Sequence, residues 1–513
     1  MLVLILAIAA ILVGSLLREA LRPGVHSIPG PFLAKFTDLW RVYKVWDWTF
    51  KEDLPSLHKK YNSSLIRVGP QLLSCSDARA VALIYGFHSN FKKSDMVKAM
   101  APVYQGKRQP TMFSAADNQT HARIRRPVAP AYAMSKVIQF EPFVNENVRT
   151  FFAKLDELFI QENKPCDYHN WVQYFAFDVV MEMTMSRNLG FMKAGGDVDG
   201  VLKQLQKDLD YRGIALSMPL IDRICRLNPL SRFFKPNQSS VFALRCKAML
   251  AERLNADPTL YAKDEEKRPQ DFVTTFLEIQ RGDPSISDGQ LIGYTQANLI
   301  AGSDTTAVIL RTAIYYALKQ PWISQRIVEE VDAKCDAFPV PYRTARFDMP
   351  FCAAVVREAL RMHFAFIGMM EREVPKGGCE MPDGRILPEG VVIGMHGDLI
   401  GRDTSIFGED ADEFNPLRWL KASKESKSEY EQRLKMMNAH DLAFGHGARG
   451  CIGRHVAEME IYKFIPTFFG LLEPTLVQQD KPWNLRQLFV FKQSGMEMNL
   501  KWRENKGLET VRT

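Results

Sequence analysis

The sequence predicts a mostly α-helical protein with a small β portion, an α+β fold, in one large domain behind an N-terminal transmembrane helix. Helical periodicity dominates, because apolar residues recur every three or four positions along six long segments. Those segments are Phe140–Leu158, Trp171–Met185, Val241–Leu254, Leu291–Lys319, Pro321–Cys335 and Met349–Met362. Strand patterns are few and short, as at Ser64–Val68 and Gly390–Gly394. The chain also opens on an apolar run, and no second run of spanning length follows it.

Composition restricts the class of protein. Of 513 residues, 46% are hydrophobic and 24% are charged, which is typical of a globular chain and excludes a disordered or fibrous one. The formal net charge of +7 is mild and the basic residues are dispersed, so a nucleic acid is not an expected partner. The eight cysteines include no C-x-x-C pair, which argues against a disulfide scaffold or a zinc site and favours reduced thiols in a cytosolic setting.

Residues 1–22 are predicted to be a membrane anchor. Met1–Leu17 carries no charge, and as a helix at ~1.5 Å per residue it needs only a short extension to cross a bilayer core of ~30 Å. A cleaved signal peptide would want positive charge before the apolar run, and an interfacial helix is a third interpretation. Positive charge instead follows the run, at Arg18, Arg22, Lys35 and Arg41. The positive-inside rule then keeps the bulk of the chain cytosolic.

A Pro/Gly segment over residues 23–35 separates this anchor from a globular body at residues 36–513. Pro23 and the Pro-Gly-Pro run at 29–31 break any helix and predict a stiff turn, so the segment is interpreted as a hinge. No linker, internal repeat or low-complexity tract follows it. The body is therefore predicted to be one domain.

One loop differs from the rest of the sequence: Ala443–Arg454 carries four glycines in nine residues and a cysteine, Cys451. Glycines at this density indicate positive φ angles or close backbone approach. The loop leads into an amphipathic helix from about His455 to Leu472, so Cys451 would face the positive end of a helix dipole. Such a position lowers a thiol pKa and favours the thiolate, which haem-thiolate enzymes use as an iron ligand. A buried cysteine in a tight turn is the plainer interpretation.

The residues around the cysteine fall as F-x-x-G-x-R-x-C-x-G, which closely resembles the haem-binding signature of the cytochrome P-450 superfamily. The matching positions are Phe444, Gly447, Arg449, Cys451 and Gly453. The resemblance implies the cytochrome P-450 fold and one haem b, iron protoporphyrin IX, with Cys451 as the axial ligand of the iron. It also implies that Phe444 lies over the sulfur and that Arg449 pairs with a haem propionate. It runs from the Pro-Gly-Pro turn to about residue 500.

The helix predicted at Leu291–Lys319 contains the string A-G-S-D-T-T, although glycine and β-branched residues cost ~0.5–1 kcal/mol each in a helix interior. A threonine hydroxyl can bond back to the i−4 carbonyl and bend the helix, which opens room for a small ligand. A locally frayed helix is the plainer interpretation. The string resembles the oxygen-activation motif of the family, which implies that Asp304 and Thr305 are catalytic and deliver protons. By the same resemblance Ala301 and Gly302 lie against the haem face.

Glu358 and Arg361 stand three residues apart on a predicted helix, so they share a face and can pair. A solvated surface pair is one interpretation, but apolar neighbours argue for burial, and a buried pair needs further partners. The downstream string F-N-P-L-R-W offers one in Arg418. E-x-x-R followed by F-x-P-x-R-W resembles the Glu–Arg–Arg triad of the family, which implies that these three residues are structural. Arginine suits this role through its planar fork of donors.

Three further residues are candidates for the haem propionates by resemblance. His121 and Arg125 occupy the place where many relatives carry Trp-x-x-x-Arg, and histidine can also donate to a carboxylate. Arg372, in the string E-R-E-V, matches another position at which the family holds a propionate. Each arginine taken alone could be a surface residue.

The walls of a substrate pocket are predicted from apolar side chains that could equally belong to the core. These are Phe113, Met218, Leu299, Phe366, Ile367 and Met369. The segment Phe364–Met370 lies where the family lines this pocket, and Phe364 stands where relatives commonly carry proline, which bears on specificity. Apolar walls favour a hydrophobic substrate such as a terpenoid or a polyketide.

With the resemblance, these residues predict a haem-thiolate monooxygenase that inserts one atom of dioxygen into an apolar small molecule. The anchor, the Pro-Gly-Pro turn and the string G-E-D-A-D-E-F look like those of microsomal eukaryotic members. Leu33–Arg41 and Pro375–Cys379 are similar to fungal members of the pisatin-demethylase type, which favours a role in fungal secondary-metabolite biosynthesis. Because no flavin or P-loop fingerprint is found, electrons are expected from NADPH through a separate reductase, with a cytochrome b-type protein as a further donor. The expected location is the endoplasmic reticulum membrane, single-pass, with the catalytic domain in the cytosol.

Two other functions compete with this interpretation. A haem-thiolate isomerase or dehydratase rearranges peroxides without dioxygen, and such relatives typically lose the acid–threonine pair that Asp304 and Thr305 retain. A non-catalytic haem sensor would not need that pair. Three N-x-S/T sequons, at Asn62, Asn118 and Asn237, would stay unmodified under cytosolic topology.

Overall fold

The computed structural model describes residues 1–104, 107–187, 189–228, 241–255, 270–366, 368–487 and 489–512. The predicted pocket residue Ile367 and the sequon at Asn237 lie outside these ranges. Across the described chain the fold is mostly α-helical with a small β portion, which confirms the predicted fold class.

The six helices that periodicity predicts all form, each within about one turn of its expected bounds. In the first half of the chain the helices are α1 (Leu2–Ala20), α2 (Leu39–Trp46), α3 (Phe50–Tyr61), α4 (Ala80–Tyr85), α5 (Asn118–Arg125), α6 (Met134–Val137), α7 (Glu141–Leu155), α8 (Tyr168–Met185), α9 (Phe191–Ala194), α10 (Val201–Ser217), α11 (Pro219–Asp222) and α12 (Val241–Asn255). In the second half they are α13 (Phe272–Gly282), α14 (Asp288–Lys319), α15 (Pro321–Lys334), α16 (Pro350–Met362), α17 (Gly397–Gly401), α18 (Thr404–Phe407), α19 (Lys427–His440), α20 (Arg454–Leu471) and α21 (Leu508–Arg512).

The strands are short. They are β1 (Leu65–Arg67), β2 (Leu72–Cys75), β3 (Lys92–Lys93), β4 (Val103–Tyr104), β5 (Lys107–Arg108), β6 (Cys166–Asp167), β7 (Arg372–Glu373), β8 (Cys379–Glu380), β9 (Ile386–Leu387), β10 (Val392–Gly394), β11 (Leu472–Leu476), β12 (Asn484–Gln487), β13 (Phe491–Ser494) and β14 (Glu497–Trp502). The largest sheet of the described chain has the order β1-β2-β10-β7-β3, in which only β2 and β10 run parallel. Both predicted strands lie in this sheet.

Helix α14 forms the centre of the body. Every residue from Thr306 to Tyr315 is buried, and a helix that is buried all round belongs to the interior of a large domain. The helix begins at a capping box, in which the Ser287 hydroxyl accepts from the Gln290 N–H and the Gln290 side chain accepts from the Ser287 N–H. Helices α8, α16 and α20 pack around it. Residues on α14 therefore hold fixed positions relative to the start of α20.

Helix α1 fits a single-pass membrane anchor. It has a mean hydropathy of 2.3 over its most apolar window, and none of that window is buried. Within the described ranges it is the one helix long and apolar enough to cross a bilayer. The interpretation as an uncleaved anchor is tested below.

The Pro/Gly segment at 23–35 is packed against the body and is not a free linker. Arg67 of β1 is fully buried and donates to the carbonyl oxygens of Glu19 and Ala20, at 2.6 and 3.0 Å. These carbonyls lie at the end of α1, where a helix leaves acceptors without partners and where a cation complements the dipole. Gly30 is required, because a Cβ there would lie 2.1 Å from the Arg67 carbonyl oxygen. The end of the anchor is thus attached to the sheet.

Two N-terminal truncations separate anchoring from this attachment. A chain lacking residues 1–17 and a chain lacking residues 1–22 should both leave the microsomal pellet after alkaline carbonate extraction. Only the longer truncation removes the Glu19 and Ala20 carbonyls, two of the acceptors of Arg67. The loss of these partners from a buried guanidinium should lower the free energy of unfolding by ~1–3 kcal/mol.

Denaturant titration of the two truncated proteins measures that difference. Carbonate-resistant membrane association of the chain lacking residues 1–17 would contradict the anchor. A full-length gene product recovered in the medium in shortened form would identify a signal peptide instead.

Candidate active site

A glycine-rich loop places Cys451 just before α20. The Cys451 N–H donates to the Phe444 carbonyl at 2.7 Å, so the loop is closed by its own backbone. Gly445 and Gly447 have φ angles of +70° and +61°, which favour glycine. At Gly447 a Cβ would also lie 2.1 Å from the Tyr85 carbonyl oxygen. The expected positive φ angles and close backbone approach are both present.

A thiol that is exposed and yet desolvated by the surrounding protein indicates an internal cleft at Cys451. Its side chain is exposed, yet desolvation is the strongest influence on the thiol and raises its pKa above the ordinary value. Both observations hold because the thiol borders an internal space with protein on its other sides. The Gly453 backbone and the Arg125 guanidinium act to lower the pKa, but less strongly. The predicted lowering of this pKa is therefore wrong for the thiol alone, since burial outweighs the helix N-terminus.

Two more signature residues lie beside the sulfur or its loop. A Cβ at Gly453 would come within 4.0 Å of the Cys451 Sγ, so the glycine leaves space next to the sulfur. Phe444 is half-buried, and the Arg454 guanidinium lies 5.5 Å from its ring centroid. Phe444 is thus tied to Cys451 through its backbone carbonyl, and Gly453 lies next to the sulfur.

One face of α14 is open in the middle of an otherwise buried helix. Ala297, Ala301 and Thr305 follow at intervals of four and share that face. Ala301 is exposed there, whereas Leu299 and Ser303 are buried. The Thr305 hydroxyl donates to the Ala301 carbonyl at 2.7 Å, which is the expected back bond, and the helix remains continuous. The hydroxyl oxygen can still accept a hydrogen bond from a molecule in the cleft.

Gly302 and Asp304 lie on the side of α14 that packs against α8. A Cβ at Gly302 would lie 2.6 Å from Val180 Cγ2, so glycine permits close helix packing there, which corrects its assignment to the haem face. Asp304 accepts a hydrogen bond from Gln173, which in turn accepts one from Arg311 at 2.8 Å. Burial raises the pKa of the Asp304 carboxyl, while Arg311 and Gln173 oppose the shift. A chain of polar groups therefore holds this carboxyl.

Four basic side chains gather beside the cysteine loop: Lys93, Arg125, Arg372 and Arg449. His121 lies within the same cluster. In the part of the chain that the structure describes, none of the four forms an ion pair with a carboxylate. They donate instead to backbone carbonyl oxygens, Lys93 to Phe113, Arg125 to Gly450, Arg372 to Glu371, and Arg449 to Ala115, Ala116 and Asp117. The cluster therefore carries an excess of positive charge.

The pKa values of the cluster show this excess. Burial and, after it, the four neighbouring basic side chains together lower the pKa of His121 to about 3. The pKa of Lys93 also falls well below its ordinary value, through burial and then the three guanidinium groups. Charges of one sign at close range leave a strong positive potential. The cluster therefore suits a ligand that carries at least two negative charges.

Glu358, Arg361 and Arg418 meet in one buried network. Arg361 pairs with both carboxylate oxygens of Glu358, at 2.9 and 2.7 Å, and Arg418 donates to Oε1 at 2.9 Å. Two donors without an assigned role complete the shell, the Trp419 indole and the Asn415 N–H, each at 2.8 Å. Since the carboxylate charge is fully matched, the network ties α16 to the segment before α19.

Phe113 and Phe366 form an aromatic wall with Phe489. The ring centroids of Phe113 lie 6.1 Å from Phe366 and 6.2 Å from Phe489, and the latter two lie 4.9 Å apart, all edge-on. Phe113 is 39% exposed, so one face of the wall is open. Met369 is only 2% exposed; it packs in a core cluster with Phe50 and also lines a small cavity with Phe366 and Phe489, so its place in the pocket stays a prediction. The wall is an apolar contact surface.

Four side chains at these sites were missed from the sequence: Lys93, Gln173, Trp419 and Phe489. Trp419 stands inside the F-x-P-x-R-W string, so that string carried a signal for it. The other three belong to no motif, and their contacts join segments far apart in the chain. No sequence signal was available for them.

Comparison with known proteins agrees with this geometry. Residues 36–500 match the family model described as Cytochrome P450. Cytochrome P450 monooxygenase vrtE of Penicillium aethiopicum is 66% identical over 508 residues, which cover 98% of this chain and 95% of that protein. A cytochrome P450 monooxygenase of Aspergillus terreus is 36% identical over 457 residues, covering 88% and 90%, and cicH of Emericella nidulans is 32% identical over 513 residues, covering 98% and 99%.

The helical body, the cysteine loop and these matches define one class of protein. The chain belongs to the cytochrome P450 family and has the cytochrome P450 fold, as the signature around Cys451 implied. It is a monooxygenase, an oxidoreductase, and the family implies a haem iron, a redox partner and a small-molecule substrate.

The Glu358 network predicts a loss of stability when its carboxylate is removed. Glu358→Ala leaves the buried Arg361 guanidinium without its counter-charge and leaves Arg418 with Asp410 as its remaining carboxylate. Removing one member of such a buried ionic network costs ~3–5 kcal/mol. We expect little soluble, haem-loaded protein, measured by the ratio of haem to protein absorbance and by denaturant titration.

Glu431→Ala is the matched control, because Glu431 belongs to an exposed pair with Lys427 at 3.9 Å, and should behave as wild type. Stable, haem-loaded Glu358→Ala in which only turnover is altered would contradict a structural role.

Proposed function

We propose that this protein binds one haem b through Cys451 and inserts one atom of dioxygen into an apolar small molecule of fungal secondary metabolism, such as a terpenoid or a polyketide. The observation that carries the proposal is a thiol beside a cluster of cations that has no carboxylate partner among the described residues. Arg125 joins the two, because it donates to the Gly450 carbonyl and acts electrostatically on the Cys451 thiol.

The residues present fit haem b. Cys451 would supply the thiolate ligand, and Arg125, Arg372 and Arg449 would share the two propionates, with His121 as an additional donor. When bound, a haem iron with a thiolate ligand supplies the oxygen activation. Each cation has a backbone partner in this structure, so the propionates would compete for N–H donors that are already positioned. Phe444 and Gly453 would pack beside the sulfur.

Thr305 and Asp304 are proposed to move the protons that oxygen activation consumes. The Thr305 hydroxyl is fixed by the Ala301 carbonyl and presents its oxygen to the cleft, where it can hold a water. Asp304 is the adjacent residue, and its raised pKa favours a carboxyl that carries a proton. The chain through Gln173 and Arg311 holds this carboxyl between turnovers. The retained acid–threonine pair weighs against an isomerase and against a haem sensor.

Apolar groups in two parts of the site support a hydrophobic substrate. The open face of α14 presents Ala297 and Ala301, and the aromatic wall presents Phe113 and Phe366. The relatives named above are monooxygenases of fungi. With α1 as the anchor, the protein would lie on the endoplasmic reticulum membrane, with its body in the cytosol and electrons from NADPH through a separate reductase, or from a cytochrome b-type donor.

Substitution of Thr305 tests the proton path. Thr305→Ala should keep haem binding and the carbon monoxide spectrum, because it leaves Cys451 and the cations in place. NADPH oxidation should continue while product falls and hydrogen peroxide rises, since general acid catalysis contributes ~10²–10⁴-fold. Thr305→Ser should retain more coupling, because it keeps the hydroxyl.

Thr306→Ala is the matched control, since the Thr306 hydroxyl is buried and has no hydrogen-bond partner among the residues that the structure describes. It should couple NADPH oxidation to product as wild type does. Unchanged coupling in Thr305→Ala would show that Thr305 is only a helix residue and would overturn this mechanism.

A further inference from the structure

The position of Lys93 is electrostatically unfavourable for a lysine. It pairs with Arg372 across β3 and β7, so two positive charges stand directly opposite each other in the sheet. Like charges at such a position destabilise a sheet. Arg125 and Arg449 add to the repulsion. The contacts of Lys93 that offset this repulsion indicate its structural role.

Three contacts tie Lys93 to one segment, Phe113–Ala116. Its Nζ donates to the Phe113 carbonyl at 2.8 Å, and the same Nζ lies 4.3 Å from the centroid of the Phe113 ring. Its backbone N–H donates to the Ala116 carbonyl at 3.1 Å. A cation over an aromatic face is attractive, and the hydrogen bond needs only an N–H, so it persists when the lysine pKa is lowered. Both the backbone and the ring of Phe113 are held by this one side chain.

The neighbouring residues of the segment have other tethers. Arg449 donates to the carbonyls of Ala115, Ala116 and Asp117, and Thr111 and Ser114 bond to each other at 3.0 Å. These contacts fix the two ends of the turn. The ring of Phe113 is instead contacted by Lys93 and by the other two members of the aromatic wall. Lys93 therefore controls the most exposed member of that wall.

We propose that Lys93 is a positioning residue that holds Phe113 against Phe366 and Phe489 and thereby sets the apolar wall for the substrate. The inference rests on the proposed function, because it assigns the specificity of the same cleft. The wall is sensitive to this contact, since Phe113 reaches its two aromatic neighbours only edge-on, at 6.1 and 6.2 Å. Without Lys93 the ring can turn away, and the cleft loses one side.

Lys92 provides a matched control on the same strand. Its side chain is 49% exposed and pairs with Glu373 at 2.9 Å. Successive residues of a strand face opposite ways, so Lys92 points away from the cluster. Lys92→Met and Lys93→Met thus remove the same charge from adjacent positions, and only the second touches Phe113.

The experiment compares two probes that bind haem iron in the full-length holoprotein, imidazole and 4-phenylimidazole, by optical titration. Both coordinate through the imidazole nitrogen, and only the second carries a ring that can contact the wall. Lys93→Met should raise the Kd of 4-phenylimidazole about tenfold and leave that of imidazole within about twofold. Lys93→Arg should recover most of the affinity, because it keeps a cation and N–H donors. Lys92→Met should change neither Kd.

Deuterium uptake gives a readout that is independent of the iron. The segment 111–117 should exchange faster in Lys93→Met than in wild type, and at the wild-type rate in Lys92→Met. Equal weakening of both azoles by Lys93→Met would show that Lys93 acts on the haem alone and would overturn the proposal, as would an unchanged Kd for 4-phenylimidazole. Failure of the proposed function would look different, since wild-type protein would then give no thiolate-type carbon monoxide spectrum.

Discussion

Positive charge beside the Cys451 thiol is the constraint on which the site depends. Four basic side chains and His121 lie together, and none of the four meets a carboxylate within the described ranges, while burial raises the pKa of the Cys451 thiol. A ligand with two carboxylates and a metal ion would relieve both conditions, because its charge offsets the cations and its metal takes the thiolate. Binding would therefore stabilise the folded state as well as equip it for oxidation.

The rest of the fold holds two elements of the site in fixed positions. Helix α14 is fixed by burial on nearly every side from Thr306 onward. The cysteine loop is closed by its own hydrogen bonds and by a close approach to Tyr85 that only glycine permits. The Glu358 network lies away from the chemistry and locks α16 to the chain that leads into α19. A rigid frame of this kind is consistent with the proposal that the short segment of Phe113 sets specificity.

The sequence was informative where the signal is local. Apolar spacing predicted the helices, and the glycine-rich loop identified Cys451. The two strings E-x-x-R and F-x-P-x-R-W predicted that Glu358 pairs with Arg418. Each of these patterns lies within one element or one motif. The errors concern tertiary contacts. Gly302 packs on Val180. The Cys451 pKa is set by burial that a helix-dipole argument does not include. Lys93 and Phe489 required the folded structure, since distant segments bring them to Phe113.

Ligation of haem by Cys451 is the central claim, and the Soret band of the reduced carbon monoxide complex measures it directly. Wild-type protein should show the red-shifted band of a thiolate ligand, and Cys451→His should bind haem without it. Cys225→Ser, at an exposed cysteine elsewhere, should keep the wild-type spectrum. A red-shifted band that persists in Cys451→His would contradict the claim.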